Sequence, residues 1–213
     1  MSAYSELYLP DAMEALGGML DYAVIDADKD IDEFFALFVS TGVAEALEAG
    51  SPCYLAGMSG VELARLVLRR AGNPVEADPR GDVLTRSDAF WTGWTLAYYQ
   101  WRTGIPFERF AELLPVSKLR ACYHPMHELS EERVAASLDT MLADARARTP
   151  TRLGWLRGEA GLTQAELARR SGVSLRAIQQ YEQRVKDIGR AQVRAVAALA
   201  HTLGCRIEDL LEE

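Results

Sequence analysis

The sequence is poor in cysteine, has no long apolar run and shows almost no strand-like alternation. Its 213 residues include three cysteines, Cys53, Cys122 and Cys205. The odd number and wide spacing exclude a disulfide framework and a CxxC-type zinc site, so the three are expected to be small core or surface thiols. The longest uncharged stretch, Ala89 to Trp101, is too short and too polar to span a bilayer. The opening residues, MSAYSELYLPDAMEAL, lack a basic leader followed by an apolar run, and a cytoplasmic protein is expected. No low-complexity segment and no repeat with a period of about 20 to 50 residues is present. No acid–base pair, nucleophile elbow or phosphate-binding glycine loop stands out, which argues against an enzyme and gives no reason to expect a cofactor.

The remaining composition, 49% hydrophobic and 25% charged, suits a globular chain of one large or two small domains. Overall, 31 acidic residues outnumber 23 basic ones, the wrong sign for a polyanionic partner. That charge is unevenly spread. Residues 150 to 213 hold ten Lys and Arg against eight Asp and Glu, a net of +2, which leaves a net of −10 for residues 1 to 149. Within residues 152 to 194 nine basic residues face four acidic ones, a net of +5. Such partition points to two parts with different partners.

Helical periodicity runs through the N-terminal part, punctuated by Pro, Gly, Asn and Asp. It predicts helices near Pro10–Ala27, Ile31–Ser40, Val43–Ala49, Gly60–Ala71, Ser87–Arg102, Pro106–Leu114 and Ser130–Arg148. Gly50-Ser51-Pro52, Gly72-Asn73-Pro74 and Asp78-Pro79-Arg80-Gly81-Asp82 are the clearest breaks. Pro150 disfavours helix at Thr149. The predicted division is therefore an acidic helical domain over residues 1–149 and a second domain over residues 150–213.

In the second domain the stretch from Thr163 to Glu182 reads TQAELARRSGVSLRAIQQYE. Leu167, Ala168, Val173, Leu175, Ile178 and Tyr181 are spaced to close a small core between two crossed helices. Thr163 with Glu166 forms a capping box, Gly172 supplies a tight turn, and Ser174 is an N-cap. The face left outward carries Gln164, Arg169, Arg170, Arg176, Gln179 and Gln180, long side chains with donors suited to phosphates and base edges.

These residues resemble the helix-turn-helix of the Cro/CI-type (XRE) family of phage and bacterial repressors. The likeness extends from Leu153 to about Leu211, with LGCRIEDLL similar to the family's closing helix. The resemblance implies an all-α chain whose C-terminal part is a five-helix, lambda-repressor-like domain, with helices over Leu153–Glu159, Gln164–Arg170, Leu175–Gln183, Ala191–Leu203 and Ile207–Leu211. It implies that Gln164 contacts a phosphate and buttresses the reading helix, and that Leu175, Arg176, Gln179 and Gln180 approach base edges. Arg176 would pair with guanine, Gln180 with adenine, and Leu175 would touch a thymine methyl. Ser174 and Arg170 belong to the same DNA-binding set, while Arg157 and Glu182 match a structural ion pair. The segment from Arg184 to Arg190 is a few residues longer than in the phage repressors. Arg184, Lys186 and Arg190 keep it basic where the family faces the phosphate backbone, with a charged, solvated loop as the other reading. One such module offers too few base contacts for tight specific binding, so a homodimer on double-stranded DNA is expected.

Other clusters give less. Asp26 to Glu33 has alternating carboxylates, but Ile31 stands where a calcium loop needs Gly and Leu37 where it needs Glu, so a helix junction with Asp30 as N-cap is expected. Cys122, His124 and His127 have no second ligand cluster, and no metal site is expected. Phe90, Trp94, Ala97, Tyr98 and Trp101 form an aromatic stripe at helical spacing, read first as core, then as a partner surface, then as a ligand pocket. Phe34 to Val43 and Tyr54 to Leu63 resemble, weakly, small helical proteins encoded beside toxins. That likeness implies a toxin partner for the acidic domain and an antitoxin as the alternative to an autoregulating repressor.

Overall fold

The computed structural model describes residues 3–75, 77–79 and 86–212. The chain divides into two compact units, Met1–Ala145 and Arg146–Glu213. Among the described residues the regular structure is entirely helical, and no helix is long and apolar enough to cross a membrane. Of the Asp78–Asp82 break, Arg80, Gly81 and Asp82 lie outside the described residues.

The first unit is organised around α1 (Leu9–Asp21), which continues as a π-helical turn over Tyr22–Asp26. After it come α2 (Ile31–Ser40), α3 (Val43–Glu48), α4 (Pro52–Leu55) and α5 (Gly60–Arg70). The unit continues with α6 (Asp88–Thr103), α7 (Phe107–Leu113), α8 (Val116–Ala121), α9 (Tyr123–Met126) and α10 (Glu131–Arg148), whose residues from Arg146 onward fall in the second unit. The starts follow from local chemistry. Asp30 accepts from the backbone N–H groups of Asp32 and Glu33 at 2.9 and 3.0 Å, the N-cap expected there. Ser59 and Glu62 form a reciprocal capping box on α5, and Ser87 accepts from Phe90 N–H on α6. α4, α8 and α9 were not anticipated. They hold four to six residues each, and a proline stands at the start of α4, just before α8 and inside α9.

Small residues let α1 lie against both α5 and α6. A Cβ on Gly60 would stand 2.6 Å from Gly18 Cα, and one on Gly93 would stand 2.8 Å from Gly17 Cα, so backbone meets backbone at both crossings. Around this contact Leu16, Met19, Leu20, Phe34, Phe35, Phe38, Leu63, Leu68, Leu96 and Phe110 are fully buried. Phe35, Phe38 and Phe107 pack as tilted and edge-on neighbours 5.3–6.1 Å apart. The buried face of α6 is Ala89, Thr92, Gly93, Leu96, Ala97 and Gln100, flanked by Phe90 and Tyr99. Trp91, Trp94, Tyr98 and Trp101 are only partly buried. Of the predicted stripe, Phe90 and Ala97 are in the core, whereas Trp94, Tyr98 and Trp101 lie at its edge, because the close approach to α1 selects small side chains over large rings.

The second unit comprises α11 (Arg152–Glu159), α12 (Gln164–Ser171), α13 (Leu175–Glu182), a 3-10 turn at Ile188–Arg190, α14 (Val193–Leu203) and a closing 3-10 turn at Glu208–Leu210. Its core is separate, built from Leu153, Leu162, Leu167, Ile178, Ile188, Val196, Leu199, Ala200 and Leu210. The five predicted helical segments are all present, the last as 3-10 turn and not α-helix.

Candidate nucleic-acid interface

Thr163 starts α12 by accepting from Glu166 N–H at 3.2 Å, while the Glu166 carboxylate accepts from Thr163 N–H at 2.8 Å. Those bonds to the charged carboxylate hold its pKa below the ordinary glutamate value. Gly172 ends the helix at φ +72°, in the left-handed region that favours glycine. Ser174 then caps α13 by accepting from Ala177 N–H at 3.2 Å. Leu167 and Ile178, both fully buried, lock the helix pair together from inside.

The orientation of α13 is fixed at its other end by Glu182. Its carboxylate accepts from Arg157 Nε at 2.7 Å and Nη2 at 2.9 Å, and from Gln164 Nε2 at 2.8 Å. Arg157 Nη1 also donates to the Leu162 carbonyl at 2.6 Å. One bidentate pair thus ties α11, the turn before α12, and α13 to one another. Burial pushes the Glu182 carboxyl up, but its bonds to Arg157 and Gln164 and the Arg157 charge outweigh that, leaving its pKa below the ordinary value. Glu182 is therefore a structural anion, as the resemblance implied, and Gln164 braces it.

The predicted contact residues fall into two groups. Arg170, Ser174, Leu175, Arg176 and Lys186 are exposed, and Gln179 and Gln180 are half-buried on the same helix as Arg176. Leu175, at the first turn of α13, leaves 40% of its surface in water. Arg184 is different. It occupies a positive-φ position (φ 55°), and its guanidinium donates to Glu212 at 2.8 and 3.2 Å and to the Thr149 carbonyl at 2.9 Å. Lys186 and Arg190 are both exposed, with Arg190 Nε 3.5 Å from the Asp187 carboxylate, whereas the charge of Arg184 is engaged within the unit. The reason is Glu212, sixty residues from Arg152 whose backbone N–H it also accepts; no local pattern around Arg184 reveals such a partner.

Two residues not singled out in the sequence join the region. Gln192 and Arg194 line a shallow cleft with Ser171, Gly172, Ser174 and Ala177, which places the start of α14 beside the turn and the N-terminus of α13. The only signal for Arg194 was its share in the local basic excess.

The Cys122–His127 cluster is arranged otherwise than a ligand set. Cys122 Sγ donates to the Lys118 carbonyl at 3.2 Å, and His127 Nδ1 lies 2.9 Å from the Tyr123 carbonyl. Among the described residues no group of three His, Cys, Asp or Glu side chains is placed to hold a metal.

No curated protein and no solved structure matches the chain. Residues 153–210 match the family model described as Helix-turn-helix, the Cro/CI-type (XRE) unit of DNA-binding transcription regulators, and the C-terminal segment of this protein is accordingly a helix-turn-helix domain.

Proposed function

We propose that the protein is a sequence-specific transcription regulator that binds double-stranded DNA as a homodimer and represses its own operon. In this reading residues 150–213 read DNA, and residues 1–149 pair the readers and respond to an effector or protein partner. The observation that carries it is the exposed N-terminal half of α13, with Leu175 and Arg176 outward on a helix held rigid by Ser174 at one end and Glu182 at the other. Rigid presentation matters because base readout needs a side chain placed within hydrogen-bond tolerance of a base edge. Arg176, Gln179 and Gln180 then face base edges, with Leu175 against a thymine methyl. Ser174, Arg170, Lys186 and Gln164 face the backbone, and Arg184 holds the Lys186 segment in place. Two such helices about 34 Å apart span adjacent major grooves.

Arg176 and Lys186 are expected to fail in different ways. Arg176→Ala should cost about 1–3 kcal/mol on the preferred site and relax selectivity at one base position. Lys186→Ala should weaken binding to all sequences alike and lower the salt slope by about 1. Titrations of both variants on the selected duplex and on scrambled duplex, at several salt concentrations, check this. Equal protection of selected and random DNA in footprints would end the specific-reader proposal.

A further inference from the structure

Beside α6 in the first unit lies a cleft of about 280 Å³, backed by the core residues Tyr99, Val134, Ala135 and Leu138. Its walls come from α6, α9 and the first half of α10, and its principal side chains are Phe90, Trp91, Trp94, Tyr98, Tyr123 and Glu131. The volume is near the lower end of small-molecule sites, which are mostly apolar with a few placed polar groups.

Three observations define its chemistry. The first is that a cation already sits on its rings. The Arg86 guanidinium carbon lies 4.5 Å from the Phe90 ring centre and 4.7 Å from the Trp94 ring centre. Arg86 is otherwise held only by an exposed contact to Glu14 at 2.8 Å among its described partners. The second is a carboxylate at the same rim: Glu131 accepts from Trp94 Nε1 at 3.3 Å. Burial first, and then the Glu132 and Glu131 charges against the opposing Arg102 charge, raise the pKa of the Tyr98 hydroxyl. The third is the opposite wall, where Tyr123 stacks on His127 at 4.3 Å and meets Trp91 edge-on at 5.7 Å, giving an aromatic floor.

We propose that this cleft binds a small organic cation, an ammonium or quaternary ammonium group on an aromatic or apolar body, with Phe90, Trp94 and Tyr98 supplying ring faces and Glu131 the counter-charge. Ring quadrupoles attract cations over their faces, most strongly for Trp and when water is excluded. The net charge of −10 over residues 1–149 favours the same sign of ligand. Arg86 is the internal occupant that such a ligand displaces from the two rings.

Benzyltrimethylammonium, its neutral isostere neopentylbenzene and the anion phenylacetate form a matched probe set. Binding to the full chain is read by calorimetry and by quenching of tryptophan fluorescence. The expected result is binding of benzyltrimethylammonium at least about 5-fold tighter than either other probe. Glu131→Gln should weaken it by up to about 5-fold, the range for one partly exposed charge pair. Arg86→Ala should tighten it several-fold, because the ring faces are vacated. Absence of benzyltrimethylammonium binding, equal or tighter binding of neopentylbenzene or phenylacetate, or weaker binding in Arg86→Ala would overturn the proposal, tighter phenylacetate binding by showing an anion site centred on Arg86 and tighter neopentylbenzene binding by showing a purely apolar one. Should circular dichroism show that a variant has lost its helical fold, the ranking of the three probes on the unaltered protein decides alone.

Discussion

Gly93→Ala is expected to destabilise the N-terminal unit by about 3 kcal/mol or more, at the upper end of overpacking effects. An alanine in a helix interior ordinarily gains about 0.5–1 kcal/mol over glycine, so the sign here is set by the neighbours. The added Cβ would stand 2.6 Å from the Leu16 carbonyl carbon and 2.8 Å from Gly17 Cα. Both are backbone atoms of α1, which no rotamer change can move. Two packed helices would have to part, and the core behind them, with Leu16 and Leu96 each 1% exposed, would loosen with them. The measurement is thermal unfolding of the full chain followed by helical signal, with the first-unit transition falling by on the order of 10 °C. By contrast, Gly17→Ala meets the ring of Phe90, closest atom 2.9 Å, a side chain that is able to shift. Its transition should fall by less than half as much.

Glu182→Ala should be the most damaging single substitution in the helix-turn-helix domain. The Arg157–Glu182 side chains are 21% and 10% exposed, and removing one partner leaves the other charge mostly buried without compensation. Breaking a buried pair costs about 3–5 kcal/mol, and partial exposure puts this one near about 3 kcal/mol. A single small core of this size rarely supplies more than about 3–5 kcal/mol in total, so the second unit should be largely unfolded near 37 °C, with loss of DNA binding and rapid proteolysis after residue 148. Glu182→Leu combined with Arg157→Met, which replaces the pair by apolar groups of similar size, should recover much of the fold. The pair also sets an acid limit. Because the folded-state pKa of Glu182 is depressed, its stabilisation is present in full above the ordinary glutamate value and is lost as pH falls below it. The second unit should therefore lose stability below about pH 4.5 in part through this group, and Glu182→Gln, already without the charge, should lose that share of the pH dependence.

Elements with caps and a sustained period were legible in the sequence. α2 was placed at Ile31–Ser40 because Asp30 is a strong N-cap and four apolar positions follow at helical spacing. The helix-turn-helix was legible because Thr163, Glu166, Gly172 and Ser174 each have a local backbone task that their side chains announce. What was not legible depends on partners distant in the chain. Of the α6 stripe, Phe90 and Ala97 face inward as their spacing predicts, while Trp94, Tyr98 and Trp101 stay partly exposed, since the contact with α1 requires Gly93. The π-helical turn at Tyr22–Asp26 was read as plain α-helix, because the apolar spacing of one extra residue per turn is indistinguishable over five residues. Arg184 looked like a phosphate ligand because its immediate neighbours are basic, and only the fold brings Glu212 to it.

DNA reading by α13 is tested most directly by selecting binders from a pool of random duplexes with the full chain and, in parallel, with Arg176→Ala. The expected outcome is enrichment of a single two-fold symmetric motif with half-sites about one helical turn apart, and loss of preference at one position of each half-site in the variant. Recovery of unenriched DNA by the full chain, or an identical motif from Arg176→Ala, would contradict it.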